Sequence, residues 1–193
     1  DLFKTKIILA EERETFSVEN EKFCLTKLRV SGDIIRDHKL YLCANNRLVE
    51  TKDLSKSIID LDKALGEEQK FWVLGIVTSP YLDNNVDMNR LSFSIPENAD
   101  DGFCPIVTIS KIANMAVFLI EQYLNEYLKP IAEEKRIRIE HYISVEAPQY
   151  RHLLKYKSDN LEAIKPGITD DALDVTLYKM DRDFSLETKK EGQ

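Results

Sequence analysis

Glycine is scarce in this chain. Its 193 residues include only Gly32, Gly66, Gly75, Gly102, Gly167 and Gly192, and none of these has a glycine near it. A phosphate-cradling loop needs clustered glycines so that backbone N–H groups can approach the ligand. Neither Gly-x-x-x-x-Gly-Lys-Ser/Thr nor Asp-x-Gly-x-Gly occurs, so the chain carries no ATP-binding loop of its own. Cysteine is scarce as well. Cys24, Cys43 and Cys104 are odd in number, far apart and in apolar surroundings, the pattern of reduced, buried thiols. His38, His141 and His152 have no ligand spacing with one another or with the cysteines, and no metal is expected. No Ser/His/Asp or Cys/His catalytic pattern is recognisable. No apolar run approaches the roughly 20 residues of a membrane span, and Asp1-Leu-Phe-Lys-Thr-Lys6 lacks the apolar stretch of a signal peptide. The expectation is a cytoplasmic chain with no membrane partner.

What is abundant is charge, and its sign is acidic. Lys and Arg number 27 against 34 Asp and Glu, a formal net charge of −7, which weighs against a dedicated nucleic-acid binder because phosphate recognition needs a clustered basic surface. A nucleic-acid partner through a local basic patch stays open but is not indicated by charge. An apolar fraction of 43% suffices for a real core, in one domain or a domain and a half. The chain opens on Asp1 rather than Met, within charged sequence, as an excised piece of a longer protein would.

Period-two alternation and short apolar runs predict strands over Lys6–Ala10, Thr15–Val18, Phe23–Val30, Lys39–Ala44 and Phe71–Thr78, with a turn at Ser31-Gly32-Asp33. Asp53 is a good N-cap for a helix from Leu54 to Leu65, whose stripe is Leu54, Ile58, Leu61 and Leu65, with Gly66 ending it. A long helix begins at Thr108 and keeps its apolar spacing to Leu128, and Pro130 is expected to kink or stop it. Ala147-Pro148 opens a short helix, Lys165-Pro-Gly167 is a break, and Thr169 caps a last helix with the stripe Leu173, Leu177, Met180 and Phe184. The tail from Glu187 is expected to fray. The fold class is therefore α+β: a mixed sheet with a βαβ crossover packed by helices over residues 1–130, followed by a helical extension over 131–193.

The stretch Tyr81-Leu-Asp-Asn-Asn-Val-Asp-Met-Asn-Arg-Leu-Ser-Phe-Ser-Ile95 reads as a polar loop leading into a strand, Leu91–Ile95, of the same sheet. It delivers one cation, Arg90, between Asp83, Asn85, Asp87 and the strand. Asp83 and Asp87 as a paired-carboxylate or metal site lack a nucleophile or third ligand and read better as turn-formers.

The order Asp83-x-Asn85-Val86-x-x-x-Arg90-x-x-Phe93 resembles the motif Asp-x-Asn-Val-His-Pro-x-Lys in the second domain of MutL-type mismatch-repair ATPases. Upstream, Leu42-Cys-Ala-Asn-Asn46-Arg47-Leu-Val49 is similar to that family's Tyr-Val-Asn-Gly-Arg strand. Asp87 and Met88 stand where the family has His and Pro, and Arg90 where it has Lys. In this GHKL superfamily, which also includes the ninety-kilodalton heat-shock chaperones, the second domain is a transducer. The resemblance implies that Arg90 acts catalytically on a nucleotide held by a preceding ATPase domain of the same chain. Asp83, Asn85 and Asp87 would shape the loop, with Asn46 and Arg47 as secondary candidates. It implies ATP and Mg for the parent protein but no cofactor in this fragment, which is not an enzyme in isolation. Homodimerisation of the parent and a role in repair, protein remodelling or defence are compatible with it. The rival expectation is a protein-interaction adaptor with no nucleotide role, whose Tyr- and Leu-rich helix surfaces dock a partner.

Overall fold

The computed structural model of the protein describes residues 7–32, 35–87, 89, 91–98 and 106–191. Expectations that rest on Lys6, Asp33, Met88, Arg90, Gly102, Cys104, Gly192 and Gln193 lie outside these residues. The chain forms two compact units, residues 1–125 and 126–193.

The first unit is built on a five-stranded mixed sheet with the order β1-β2-β5-β3-β4. Its strands are β1 (Ile8–Val18), β2 (Glu21–Ser31), β3 (Lys39–Ala44), β4 (Arg47–Asp53) and β5 (Phe71–Thr78). β5 lies antiparallel to β2 and parallel to β3, with Lys39 beside Leu74 and Leu42 beside Val77. On one face Phe23, Leu25, Leu40, Leu42, Val73 and Val77 are buried. The first part of helix α3 (Ile109–Val145) covers that face through Ile112, Ala116, Ile120 and Leu124, all fully buried. Gly75 marks the closest approach. A Cβ there would lie 2.6 Å from Ile120 Cδ1 and 2.9 Å from Leu40 Cδ1, so these two side-chain ends would have to shift to admit one.

The α+β class and the mixed sheet are as expected, but several elements differ. β1 is one strand through Glu11–Glu14, not two short ones, because it is an edge strand whose acids find partners. Lys27 Nζ, on a side chain only 3% exposed, lies 2.6 Å from Glu12 and 3.3 Å from Glu14. β4 was not among the predicted strands. It follows a two-residue turn at Asn45 and Asn46, both at positive φ (50° and 61°), the conformation that a tight hairpin demands and that asparagine tolerates.

The predicted helix 54–65 shrinks to α1 (Leu54–Ser57). Asp53 does cap it, accepting from Ser55 N–H at 3.0 Å. Ile58, Leu61 and Leu65 are buried as their spacing requires. Their backbone is engaged elsewhere: Leu65 exchanges two hydrogen bonds with Phe71, and the Lys63 carbonyl accepts from His38. Gly66, at φ 90°, turns the chain back toward β5 instead of ending a helix. Leu91–Ile95 is no strand of the sheet, and only an isolated bridge joins Val86 to Phe93.

Pro130 does not stop α3, which continues to Val145. An interior proline costs about 3 kcal/mol. Downstream, Ile139 and Ile143 enter the core of the second unit, and Arg136 bonds both Glu133 and Glu140 one turn away on either side. In that unit a 3-10 turn (Pro148–Tyr150), α4 (Arg151–Tyr156), α5 (Ser158–Glu162) and α6 (Asp170–Glu191) follow. They bury Tyr150, Leu153, Leu161, Ile164, Leu173 and Leu177 against α3, with Met180 and Phe184 at the margin. Thr169 caps α6, accepting from Ala172 N–H at 3.3 Å, and the tail is helical to Glu191 rather than frayed from Glu187.

Two consequences for stability follow from this packing. Gly75→Val forces two methyl groups between Ile120 and Leu40, and chemical denaturation should register a loss of about 1–3 kcal/mol, with Gly75→Ala losing less. His38, fully buried, accepts from Val73 N–H at Nδ1 (3.0 Å), so Nε2 must carry the hydrogen that it donates to Lys63 C=O (2.9 Å). Protonation would set Nδ1–H against Val73 N–H. Burial accordingly pulls the His38 pKa below 6.5, against the opposing pull of the Lys63 carbonyl, Asp53 and Asp37. A lowered histidine pKa means that the unfolded chain binds the extra proton first. Stability is complete above pH 6.5 and falls as pH drops below it. The stability slope between pH 7 and 5.5 should be steeper for the native chain than for His38→Gln, whose stability is lower but flatter.

Candidate functional site

Because β3 and β5 run parallel, their C-terminal residues Ala44 and Thr78 emerge at the same end of the sheet. The two motifs singled out in sequence follow these two strands, and the fold brings them together. After β5, Ser79 Oγ accepts from Leu82 N–H at 3.0 Å and caps α2 (Pro80–Asn84), with Pro80 at its first position. The segment read as loop from Tyr81 therefore begins as a helical turn. This turn aims Asp83 at the β3–β4 hairpin. Asp83 Oδ1 accepts from Asn45 N–H at 2.6 Å, and the Asp83 carbonyl accepts from Asn45 Nδ2 at 3.2 Å. Asn45 thus joins the motifs. Asn46 and Arg47 are exposed beside it, and Arg47 pairs with Ala44 as the first residue of β4.

Beyond α2 the chain makes a pinched loop. Asn85 ends the helix, with Nδ2 donating to Tyr81 C=O at 2.8 Å, and its own carbonyl accepts from Ser94 N–H at 2.8 Å. Asp87 holds the loop's interior: Oδ1 accepts from Leu91 N–H at 2.7 Å and Oδ2 from the Ser92 hydroxyl at 3.2 Å. A second backbone contact, Asp87 N–H to Ser92 C=O at 2.9 Å, closes the neck. Asp83, Asn85 and Asp87 each bond nearby backbone, and Asp87 also the Ser92 hydroxyl, as turn-formers do. Arg90 lies in sequence within this loop but outside the described residues. Its neighbours Asn89 and Leu91 are exposed, Leu91 at 77%.

The return limb is fastened to the long helix. Ile109 N–H donates to Pro96 C=O and Ser110 N–H to Glu97 C=O, both at 3.0 Å, so α3 begins directly on the loop's exit. Lys52 reaches across from β4 to Glu97 at 2.7 Å. The loop's exit is thereby hydrogen-bonded to the first turn of α3.

A separate charged cluster escaped the sequence reading. Lys27 projects from the covered face of β2 beneath α3, 4.7 Å from the Tyr123 ring, and Arg29 stands 4.8 Å from the same ring. Its signal was present: position 27 continues the inward alternation of Phe23 and Leu25, and a lysine there needs partners. With Glu12 and Glu14 supplying them, the cluster holds β1 to the sheet and offers no reacting group. Cys24 and Cys43 are free thiols that are half-buried rather than buried as expected, and burial raises the pKa of Cys43. Among the described residues no group of three or more His, Cys, Asp or Glu is placed to hold a metal ion. No helix there is long and apolar enough to cross a membrane.

If Asp83 is the tie between the motifs, Asp83→Ala should speed hydrogen exchange at the Asn45 amide while leaving the Leu42 amide protected. The loss of overall stability should stay near 1 kcal/mol, since the bond is exposed. Unchanged exchange at Asn45 would show that the hairpin holds itself.

Compared with known protein families, with curated proteins and with solved structures, the chain has no match.

Proposed function

We propose that the first unit is the transducer of a GHKL-type ATPase, working on ATP and Mg bound by a preceding ATPase domain of the same protein. The observation that carries this reading is the juxtaposition at one sheet end. The Asn45 hairpin and the Asp83–Asp87 loop, each resembling a separate motif of that superfamily, are joined by two hydrogen bonds. Composition agrees with the division of labour. With six isolated glycines the chain has no means of cradling a triphosphate, and it contributes a cation instead.

In this reading the nucleotide domain binds ATP and its metal, while Arg90 brings a guanidinium to the terminal phosphate. Phosphoryl transfer passes through a loose transition state, and fixed positive charge near the γ-oxygens stabilises it without acting as acid or base. An arginine therefore serves where the MutL-type motif has lysine. The chain's own contribution is positional: Asp87 and Asn85 hold the loop's shape, and Asp83 fixes the loop to the β3–β4 hairpin. The carbonyls of Pro96 and Glu97 pass its displacement to α3, through which nucleotide state is relayed toward a downstream effector. The site of action would be the cytoplasm.

A second reading, an adaptor with no nucleotide role, draws on one feature. Val18, Met115 and Phe118 line a shallow groove beside Glu19 and Lys111, with Phe118 53% exposed. The two readings separate on ATP turnover by the protein extended through the sequence that precedes Asp1. Arg90→Ala should lower kcat by roughly 10³-fold with little change in KM, and Arg90→Lys should restore much of it. Unaltered turnover in Arg90→Ala would remove the transducer assignment and leave the adaptor.

A further inference from the structure

Helix α6 has two faces, and only one is used by the fold. Leu173, Leu177, Met180 and Phe184 line the inner face. Two residues along the helix, hence on the opposite side, a second series recurs at the same three- and four-residue spacing: Asp171, Val175, Tyr178, Arg182, Leu186 and Lys189. All six are exposed, the three apolar ones at 53%, 57% and 47%.

The order of this outer series is the unusual feature. It is acidic at its start and basic at its end, with Val175, Tyr178, Arg182 and Leu186 between, so reversing its direction yields its own complement. About a two-fold axis through residue 180, Asp171 lies opposite a second Lys189, and Tyr178 lies opposite a second Arg182. Val175 lies opposite a second Leu186, offset by a single residue. Each pairing occurs twice by symmetry. A parallel arrangement would instead set Asp171 on Asp171 and Lys189 on Lys189.

We infer that the outer face of α6 is a self-association surface, on which a second copy of this chain docks its own α6 antiparallel. Two tyrosine–arginine stacks form the centre, an apolar Val175–Leu186 contact lies on either side of them, and an ion pair closes each end. A single helical stripe of this length buries less than the ~800 Å² per partner of a standard stable interface. The association is therefore weak, concentration-dependent and weakened by salt. It does not rest on the ATPase reading, since it uses none of the residues at the sheet end.

Sedimentation equilibrium of the full 193-residue chain from about 10 μM to 1 mM, at low and high salt, tests the inference. The native chain should move toward dimer with rising concentration. Tyr178→Asp should abolish the shift while circular dichroism stays unchanged, because position 178 faces away from the core. Asp171→Lys and Lys189→Asp should each weaken dimerisation by roughly fivefold or more through two like-charge contacts. The double variant, in which both copies carry both swaps, should recover native affinity. A chain that stays monomeric at 1 mM overturns the inference. So does a double variant no better than the single ones, since the stripe would then serve a different partner or a parallel pairing.

Discussion

The parallel pairing of β3 with β5 is the constraint on which the first unit depends. Antiparallel neighbours can be joined by two residues, but a parallel pair obliges the chain to travel back along the sheet before the second strand begins. Here the return is made by β4, α1 and the irregular segment to Lys70, and three contacts hold it in place. His38 ties Lys63 to Val73, Leu65 pairs with Phe71, and Leu54, Ile58, Leu61 and Leu65 fill the interior. The same pairing sends both Ala44 and Thr78 out at one end of the sheet. Without it the asparagine hairpin and the aspartate loop would have no reason to meet.

A polar loop so close to a strand end is costly to order, because fixing each residue's backbone opposes folding by about 1–2 kcal/mol. The loop from Asn85 to Ser94 is nevertheless fixed at its neck, its interior and its exit by the side chains of Asn85 and Asp87 and by the start of α3. Simple connection of β5 to α3 would need no such construction.

Much of this was legible in the chain. Alternation located β2, β3 and β5, and the three- and four-residue spacing located α3 and α6, because their buried faces are continuous. The failures have physical causes. Leu54, Ile58, Leu61 and Leu65 keep helical spacing and are all buried, yet His38 and Phe71 capture the backbone that would have made the helix. A histidine 25 residues away from Lys63 cannot be anticipated from local pattern. β4 was not predicted as a strand because its residues are mostly charged or polar, and the positive φ of Asn45 and Asn46 makes it the return strand of a hairpin. Pro130 stops helices in isolation, whereas here Ile139 and Ile143 give the continuing helix a core to enter. The candidate site was visible as two motifs. Their bond through Asn45 was not, since it depends on the parallel register.

The central claim is that the loop after α2 presents its cation to a nucleotide held by another domain. The most direct measurement is a structure of the intact protein with a nonhydrolysable ATP analogue, read at the Arg90 guanidinium. The account predicts a nitrogen within about 3 Å of a γ-phosphate oxygen, with the Asn45–Asp83 contacts retained. An Arg90 side chain directed away from the nucleotide, beyond the reach of even a bridging water, would contradict it.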